Sequence, residues 1–150
     1  MNTILIRYPE VLLTYAEAKI KVGEIDASVL EAINKVRQRP SVKMPPITTT
    51  DPNELFYAVA RERKYEFSGE GLRLFDIRRW KIAETVMNQP LLGRMKKSYP
   101  DKAPRIDEWG TAFYEGIPIA ESGESADFKM RIVDIRKFDK NRDYLWPIPY

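Results

Sequence analysis

Between Ala60 and Trp80 the chain reads ARERKYEFSGEGLRLFDIRRW, a run in which acids and bases interleave with aromatic and aliphatic side chains. Three kinds of chemistry could use such residues. Two carboxylates drawn from Glu62, Glu66, Glu70 and Asp76 could cleave a glycosidic bond, provided one kept its proton near neutral pH and a cleft about 5 to 10 Å wide separated the pair. The basic runs RRWK and RMKK could lie against nucleic-acid phosphates. Arginines and carboxylates could instead neutralise one another inside the fold and fix the angle between helices. Spacing favours the last. Glu62, Glu66 and Glu70 follow at four-residue intervals, and Arg73, Asp76 and Arg79 at three, so each set shares a helix face. Asp76 shares its face with Trp80, Ala83 and Met87, which puts its carboxylate among apolar groups where only a paired charge is tolerated. Arginines crowd every acid in the block and depress carboxylate pKa values, the reverse of what a general acid needs. Glu62, Arg63, Glu66, Glu70, Arg73, Asp76 and Arg79 are therefore read as a structural network locking the third helix to the fourth, and no residue is assigned a catalytic role.

Composition narrows the functional classes further. The 150 residues include no histidine and no cysteine. A Ser/His/Asp triad, a thiolate nucleophile and the usual histidine or cysteine metal site are thereby excluded, and no metal or cofactor is expected. Lys and Arg number 25 against 22 Asp and Glu, a net charge of +3 with both signs interspersed, which is no nucleic-acid footprint. No run of about 18 apolar residues reads as a membrane span. MNTILIRYPE lacks the basic, apolar and small-residue regions of a secretion signal. With 43% hydrophobic residues, the chain reads as a single domain able to bury a core.

The elements that must position the charged block are helical. PEVLLTYAEAKIKVG opens on Pro9 and stops at Gly23, and its stripe of Leu12, Ala16 and Ile20, flanked by Val11, Tyr15, Ala18 and Val22, is wide enough to be packed on both sides. SVLEAINKVRQRP follows, with Ser28 and Glu31 at capping-box spacing. A third helix opens at Asp51, Pro52 and Glu54 and ends near Ser68–Gly71; a fourth spans LRLFDIRRWKIAETVMN. Ala16, Ala18, Gly23 and Ala32 give the first hairpin the small-residue spacing of a tetratricopeptide unit, which buries its faces only against neighbours. The fold class is mainly α: helical hairpins over 1–89, then a loop-rich segment over 90–150 in which DFKMRIVDIRKF alternates Phe128, Met130 and Ile132 as a short strand.

Four segments in order, YPEVLLTYAEAKIKVG, INKVRQR, the charged block and FDKNRDYLWPIP, resemble the SusD/RagB family, whose corresponding helix reads roughly R-x-x-E-V-L-L-x-Y-A-E-A. The resemblance covers most of 5–89 and 138–149 and leaves 90–137 unaligned. It implies a C-terminal fragment of a non-enzymatic lipoprotein on the external face of the outer membrane of Bacteroidetes, anchored by a lipid outside these residues. Such proteins have tetratricopeptide-like scaffolds, capture oligosaccharide or polysaccharide and in some members peptide, and sit on a SusC-like TonB-dependent transporter. A different reading, a helical-repeat scaffold binding peptide or protein, also fits the helices.

Ligand contacts, if present, are expected in the loops, where SYPDKAPRIDEWGTAFYEGIP supplies Tyr99, Trp109, Phe113 and Tyr114 beside Glu115. Aromatic faces can stack on sugar rings, and carboxylates can accept hydroxyl protons. Trp109, Tyr114, Tyr99 and Glu115 are the candidates. The same aromatics could equally anchor a long loop, and Tyr144 and Trp146 read as packing residues.

Overall fold

Proline and glycine bound the first helix as their backbones require. Helix α1 spans Tyr8–Val22 with Pro9 in its first turn, where no amide donor is missed, and ends at Gly23, whose φ of 78° suits a residue without Cβ. A computed structural model of the chain describes residues 5–145. Leu13, Ala16, Glu17 and Ile20 are the buried face of α1. Val11, Tyr15 and Val22 are exposed, so among the described residues the apolar stripe is covered on one side and not on both as its width suggests. The reason is that α2 (Ala27–Arg37) and α3 (Pro52–Glu66) both pack on α1, around its Leu13–Ile20 face.

Helix α2 begins earlier than the Ser28–Glu31 pattern predicts. Asp26 is its N-cap, accepting from the Ser28 amide at 2.9 Å, while the Ser28 hydroxyl bonds Asp26 and Tyr15. Asp and Ser are comparable N-caps, and here the Asp26 carboxylate takes the position while the Ser28 hydroxyl donates to it. The cap of α3 is the predicted one: Asp51 Oδ1 accepts from the amides of Asn53 at 3.0 Å and Glu54 at 2.9 Å. Between α2 and α3, Asn34 pins the proline-rich loop by exchanging two hydrogen bonds with the Ile47 backbone, and Arg37 donates to the Pro45 carbonyl. Leu13, Val29, Ile33, Leu55, Val59 and Phe67 form the centre of the resulting core.

The fourth predicted helix is two. Helix α4 spans Leu72–Arg79 and the single turn α5 spans Ala83–Val86. Lys81 interrupts them at φ 54°, a left-handed conformation that carries no sequence signal when a lysine adopts it.

Chain contacts divide the molecule into two compact units, Met1–Arg73 with Glu108–Gly110, and Leu74–Asp107 with Thr111–Tyr150. The second unit carries the loop-rich region, which contains more strand than the sequence suggests. Strand β5 (Met130–Ile135) falls where the alternation predicts one. It pairs antiparallel with β1 (Pro90–Gly93), across an irregularity between Leu91 and Leu92, and parallel with β4 (Ile119–Ala120). Strands β2 (Arg105–Ile106) and β3 (Ala112–Phe113) form a separate two-stranded ladder. Tyr144 packs edge-on against Phe138, takes a hydrogen bond from the Ala83 amide at 3.0 Å and donates to Glu84, which is the packing role expected of it. Trp146 and the rest of its WPIP run lie outside the described residues. No helix among the described residues is long and apolar enough to cross a membrane.

Candidate functional site

The carboxylates of α3 are occupied, and their partners come from the other direction. Glu66, its side chain 5% exposed, bridges Arg7 at 2.8 Å and Arg39 at 2.5 Å. Arg7 also reaches the Glu66 carbonyl at 2.9 Å and Glu70 at 2.6 Å, with its guanidinium near the face of Phe67. Glu62 binds Arg37 at 2.6 Å. The ion pairs of Glu62, Glu66 and Glu70 thus tie α3 and the turn after it to α2 and to the residue ahead of α1, where a lock between the third and fourth helices was expected. Helical geometry explains the redirection, since three- and four-residue spacing brings together only residues of one helix, while packing between helices selects partners from distant positions. Arg63 is buried, bonds Thr14 at 3.3 Å and lies over Phe67. Asp76, 2% exposed, is held by Arg79 at 2.8 Å within α4.

Electrostatics follow the pairing. Burial alone would push Glu66 up, but hydrogen bonds from Arg7 and Arg39 outweigh it, and the carboxyl sits below its usual range. The Glu70 and Glu66 carboxylates in turn hold Arg7 above its ordinary value. Every carboxylate with a resolved shift moves down: Asp26 to about 2 through Lys19 and Ser28, Glu84 through Tyr144, Glu124 through Lys129, and Asp143 through Arg142. None has the raised pKa of a general acid. No group of three or more acids among the described residues could hold a metal ion.

The candidate ligand residues fall in three places. In the first unit, Trp109 meets Tyr57 edge-on with centroids 4.9 Å apart and Phe56 at 6.0 Å. Its segment is fastened by carbonyls: Arg61 reaches Glu108 at 3.2 Å, Arg73 reaches Trp109 at 3.1 Å, and Lys64 binds Gly110. Gly110 has φ 76°, a left-handed conformation that favours glycine, and a Cβ there would also crowd the Tyr65 hydroxyl at 3.1 Å. Arg73 therefore contributes by fastening a loop. In the second unit, Tyr114 and Glu115 share a groove of about 400 Å³ with Phe113, Leu91, Thr111 and Arg136. Glu115 is paired on its rim by Arg105, whose Nε and Nη2 both reach Oε1. Tyr99, 74% exposed, lines another groove of about 260 Å³ with Pro100, Asp101, Lys102 and Phe128. Within the second unit the structure thus brings Tyr114 and Glu115 into one groove and places Tyr99 in another, while within the first unit Trp109 packs on α3.

Sequence reasoning missed several participants. Arg7, Arg37 and Arg39 stand inside the quoted R-x-x-E-V-L-L and INKVRQR segments, where a basic residue at each end of an apolar run was the available signal. Glu17 is buried on α1, flagged by an acid in the middle of TYAEAKI. A further groove of about 790 Å³ lies in the first unit between Tyr8, Pro9 and Leu12 of α1, Asn34 and Lys35 near the end of α2, and Arg39 just beyond it.

The sequence matches the SusD family over residues 1–150. Among solved structures, a SusD-like carbohydrate binding protein from Bacteroides fragilis is similar, with 34% identity and a TM-score of 0.72 over 98% of this chain and 26% of that one. A second SusD-like protein from the same organism matches at 30% identity and a TM-score of 0.65, over 95% of this chain and 22% of that one. The chain thus spans about a quarter of the length of these proteins. No curated protein matches it. A match along the whole sequence, and a shared fold at this level of identity, place the chain in the SusD family.

Proposed function

We propose that the chain is the C-terminal part of a non-catalytic, cell-surface glycan-binding protein that hands its ligand to a SusC-like TonB-dependent transporter. Its place is the external face of the outer membrane, held there by a lipid anchor outside these residues. The observation that carries this reading is the 34% identity, along nearly the whole chain, to a SusD-like carbohydrate binding protein. The chemistry agrees. Glu62, Glu66 and Asp76 of the charged block are taken up in ion pairs, and those of Glu66 hold its carboxyl below the usual range, which suits a scaffold and not a glycosidase. The loop-rich unit offers aromatic and carboxylate groups at open grooves, with Tyr114 and Glu115 in one and Tyr99 in the other. Tyr114 and Tyr99 would stack on sugar rings, Glu115 would accept a hydroxyl proton through its unpaired Oε2, and Trp109 would add what its packing on α3 leaves open.

Native-gel retardation of the full-length gene product by a panel of soluble polysaccharides tests this. Retardation by one polysaccharide without its hydrolysis supports the reading. A shift with peptide mixtures alone would favour a scaffold that binds peptide, for which α1 offers its exposed Tyr8, Val11, Tyr15 and Val22.

A further inference from the structure

The groove that holds Tyr114 and Glu115 has one charge, that of Arg136, without a counterpart among the described residues. Arg136 is half-buried in its wall and donates through Nε at 3.2 Å and Nη2 at 3.1 Å to the carbonyl oxygen of Gln89. A carbonyl orients a guanidinium but does not cancel its charge. Among the described residues no carboxylate lies within ion-pair distance of Arg136, and its Nη1 has no hydrogen-bond partner. Arg7, Arg37, Arg39, Arg79, Arg105 and Arg142 by contrast each meet an acid, while Arg78, like Arg136, donates to backbone carbonyls. Leaving a partly desolvated cation unpaired is costly, and such a group is ready to take an anion.

The rest of the groove is consistent in chemistry. Glu115, the one acid among its lining residues, is neutralised on the rim by Arg105, with contacts of 3.0 and 2.8 Å to Oε1. The net charge of these three side chains is therefore +1, contributed by Arg136. Thr111 Oγ1 is buried behind this lining and has no hydrogen-bond partner among the described residues, so the polar groups the groove presents to a ligand include those of Arg136, Glu115 and Tyr114. Phe113, Tyr114, Leu91 and Leu92 supply apolar faces, and about 400 Å³ is within the range of small-ligand sites.

We propose that this groove binds a sugar ring bearing an acidic substituent, a carboxylate or a sulfate, with Arg136 pairing the anion and Glu115 taking a ring hydroxyl. The proposal rests on the glycan-binding reading and assigns a ligand class to it. Arg136 is the residue that separates acidic from neutral glycans, because a neutral ring would cover the guanidinium without compensating it.

The test is affinity electrophoresis of the full-length gene product in gels carrying polygalacturonate or chondroitin sulfate, each beside its carboxyl-reduced or desulfated counterpart. Retardation by an acidic polymer should weaken at least about tenfold on the neutralised one, the scale of a lost hydrogen bond to a charged group. The responding polymer identifies the substituent. Arg136→Gln should lose the preference, and Arg136→Lys should retain part of it. The comparison of polymers uses the unaltered protein and holds even where Arg136→Gln, by freeing the Gln89 carbonyl, impairs folding. Equal retardation by acidic and neutralised polymers would overturn the proposal while leaving glycan binding intact. Retardation by no polysaccharide would overturn both.

Discussion

Glu66→Gln tests the ion-pair network at its centre. The substitution keeps the shape of the side chain and removes the charge shared by Arg7 and Arg39, which lie 2.8 and 2.5 Å from separate carboxylate oxygens. Breaking a fully buried pair costs about 3–5 kcal/mol. Here the carboxylate is 5% exposed, but the Arg7 and Arg39 side chains are 29% and 38% exposed. Both can turn partly to water, and Arg7 keeps Glu70 at 2.6 Å. Discounting the full figure by about half for that solvent access gives a loss of about 2 kcal/mol. For a chain of this length that is a fall in Tm of about 6 °C. Thermal and urea melts followed by circular dichroism read it directly. A cycle with Arg39→Gln then separates the pair from its surroundings: the double variant should be more stable than the sum of the single losses predicts, by about 1 kcal/mol. A Glu66→Gln protein melting within about 2 °C of the parent, or losses that simply add, would refute the claim that this bridge holds α3 to the turn that follows α2.

The same melts check the neighbouring elements. Asp76→Ala should cost about 2 kcal/mol, because it strips a buried acceptor from Arg79, whose own side chain is 43% exposed and can turn partly to water, and should leave polysaccharide retardation of the folded protein unchanged; a melt within a degree or two of the parent would count against it. Asp51→Ala removes the acceptor for two amides at the start of α3 and should cost about 1 kcal/mol, with Asp51→Asn restoring most of it. Acid should weaken the network in a defined window. Glu66 titrates below its ordinary 4.5 in the folded chain, so its contribution is complete above about pH 4.5 and is lost as pH falls through the lower folded value. Urea midpoints should therefore fall less steeply between pH 5 and 3 in Glu66→Gln than in the parent. Trp109→Ala should lower stability by about 3 kcal/mol through lost contact with Phe56 and Tyr57, whereas Tyr114→Ala should leave the melt within about 1 kcal/mol and weaken glycan retardation.

What could be read in the sequence was whatever depends on near neighbours along the chain. Asp51 and Pro52 announce α3 because a cap and a first-turn proline act within one helical turn. Strand β5 shows in its alternation because it runs for six residues. Strands β2, β3 and β4 have two residues each, too few for any period, and their ladders are set by pairing with distant segments. The buried acids of the charged block were legible from their spacing, but the arginines that meet Glu62 and Glu66 stand 25 to 59 positions away, and nothing in local periodicity selects them. For the ligand site, composition pointed to the aromatic loop. Arg136 escaped notice because a single arginine after a strand looks like any solvated charge until the absence of a partner acid is seen.

That contrast separates two uses of arginine in one chain. In the helical unit Arg7, Arg37 and Arg39 are consumed by Glu62, Glu66 and Glu70, and the free energy of each pair goes into fixing helices. An arginine so placed has no capacity left for an anionic ligand, and exchanging it alters stability. In the loop-rich unit Arg136 is oriented by a backbone carbonyl, an acceptor that holds the guanidinium in place without neutralising it. Substitutions at the 400 Å³ groove can consequently alter ligand preference with little effect on the helical core, since none of its lining residues belongs to that core. If groove variants changed polysaccharide preference and melting temperature in step, recognition and scaffold would not be separable in this way. Preference shifting at nearly constant Tm is the expected result, and it would show that loops on a charge-locked helical frame can change ligand class one side chain at a time.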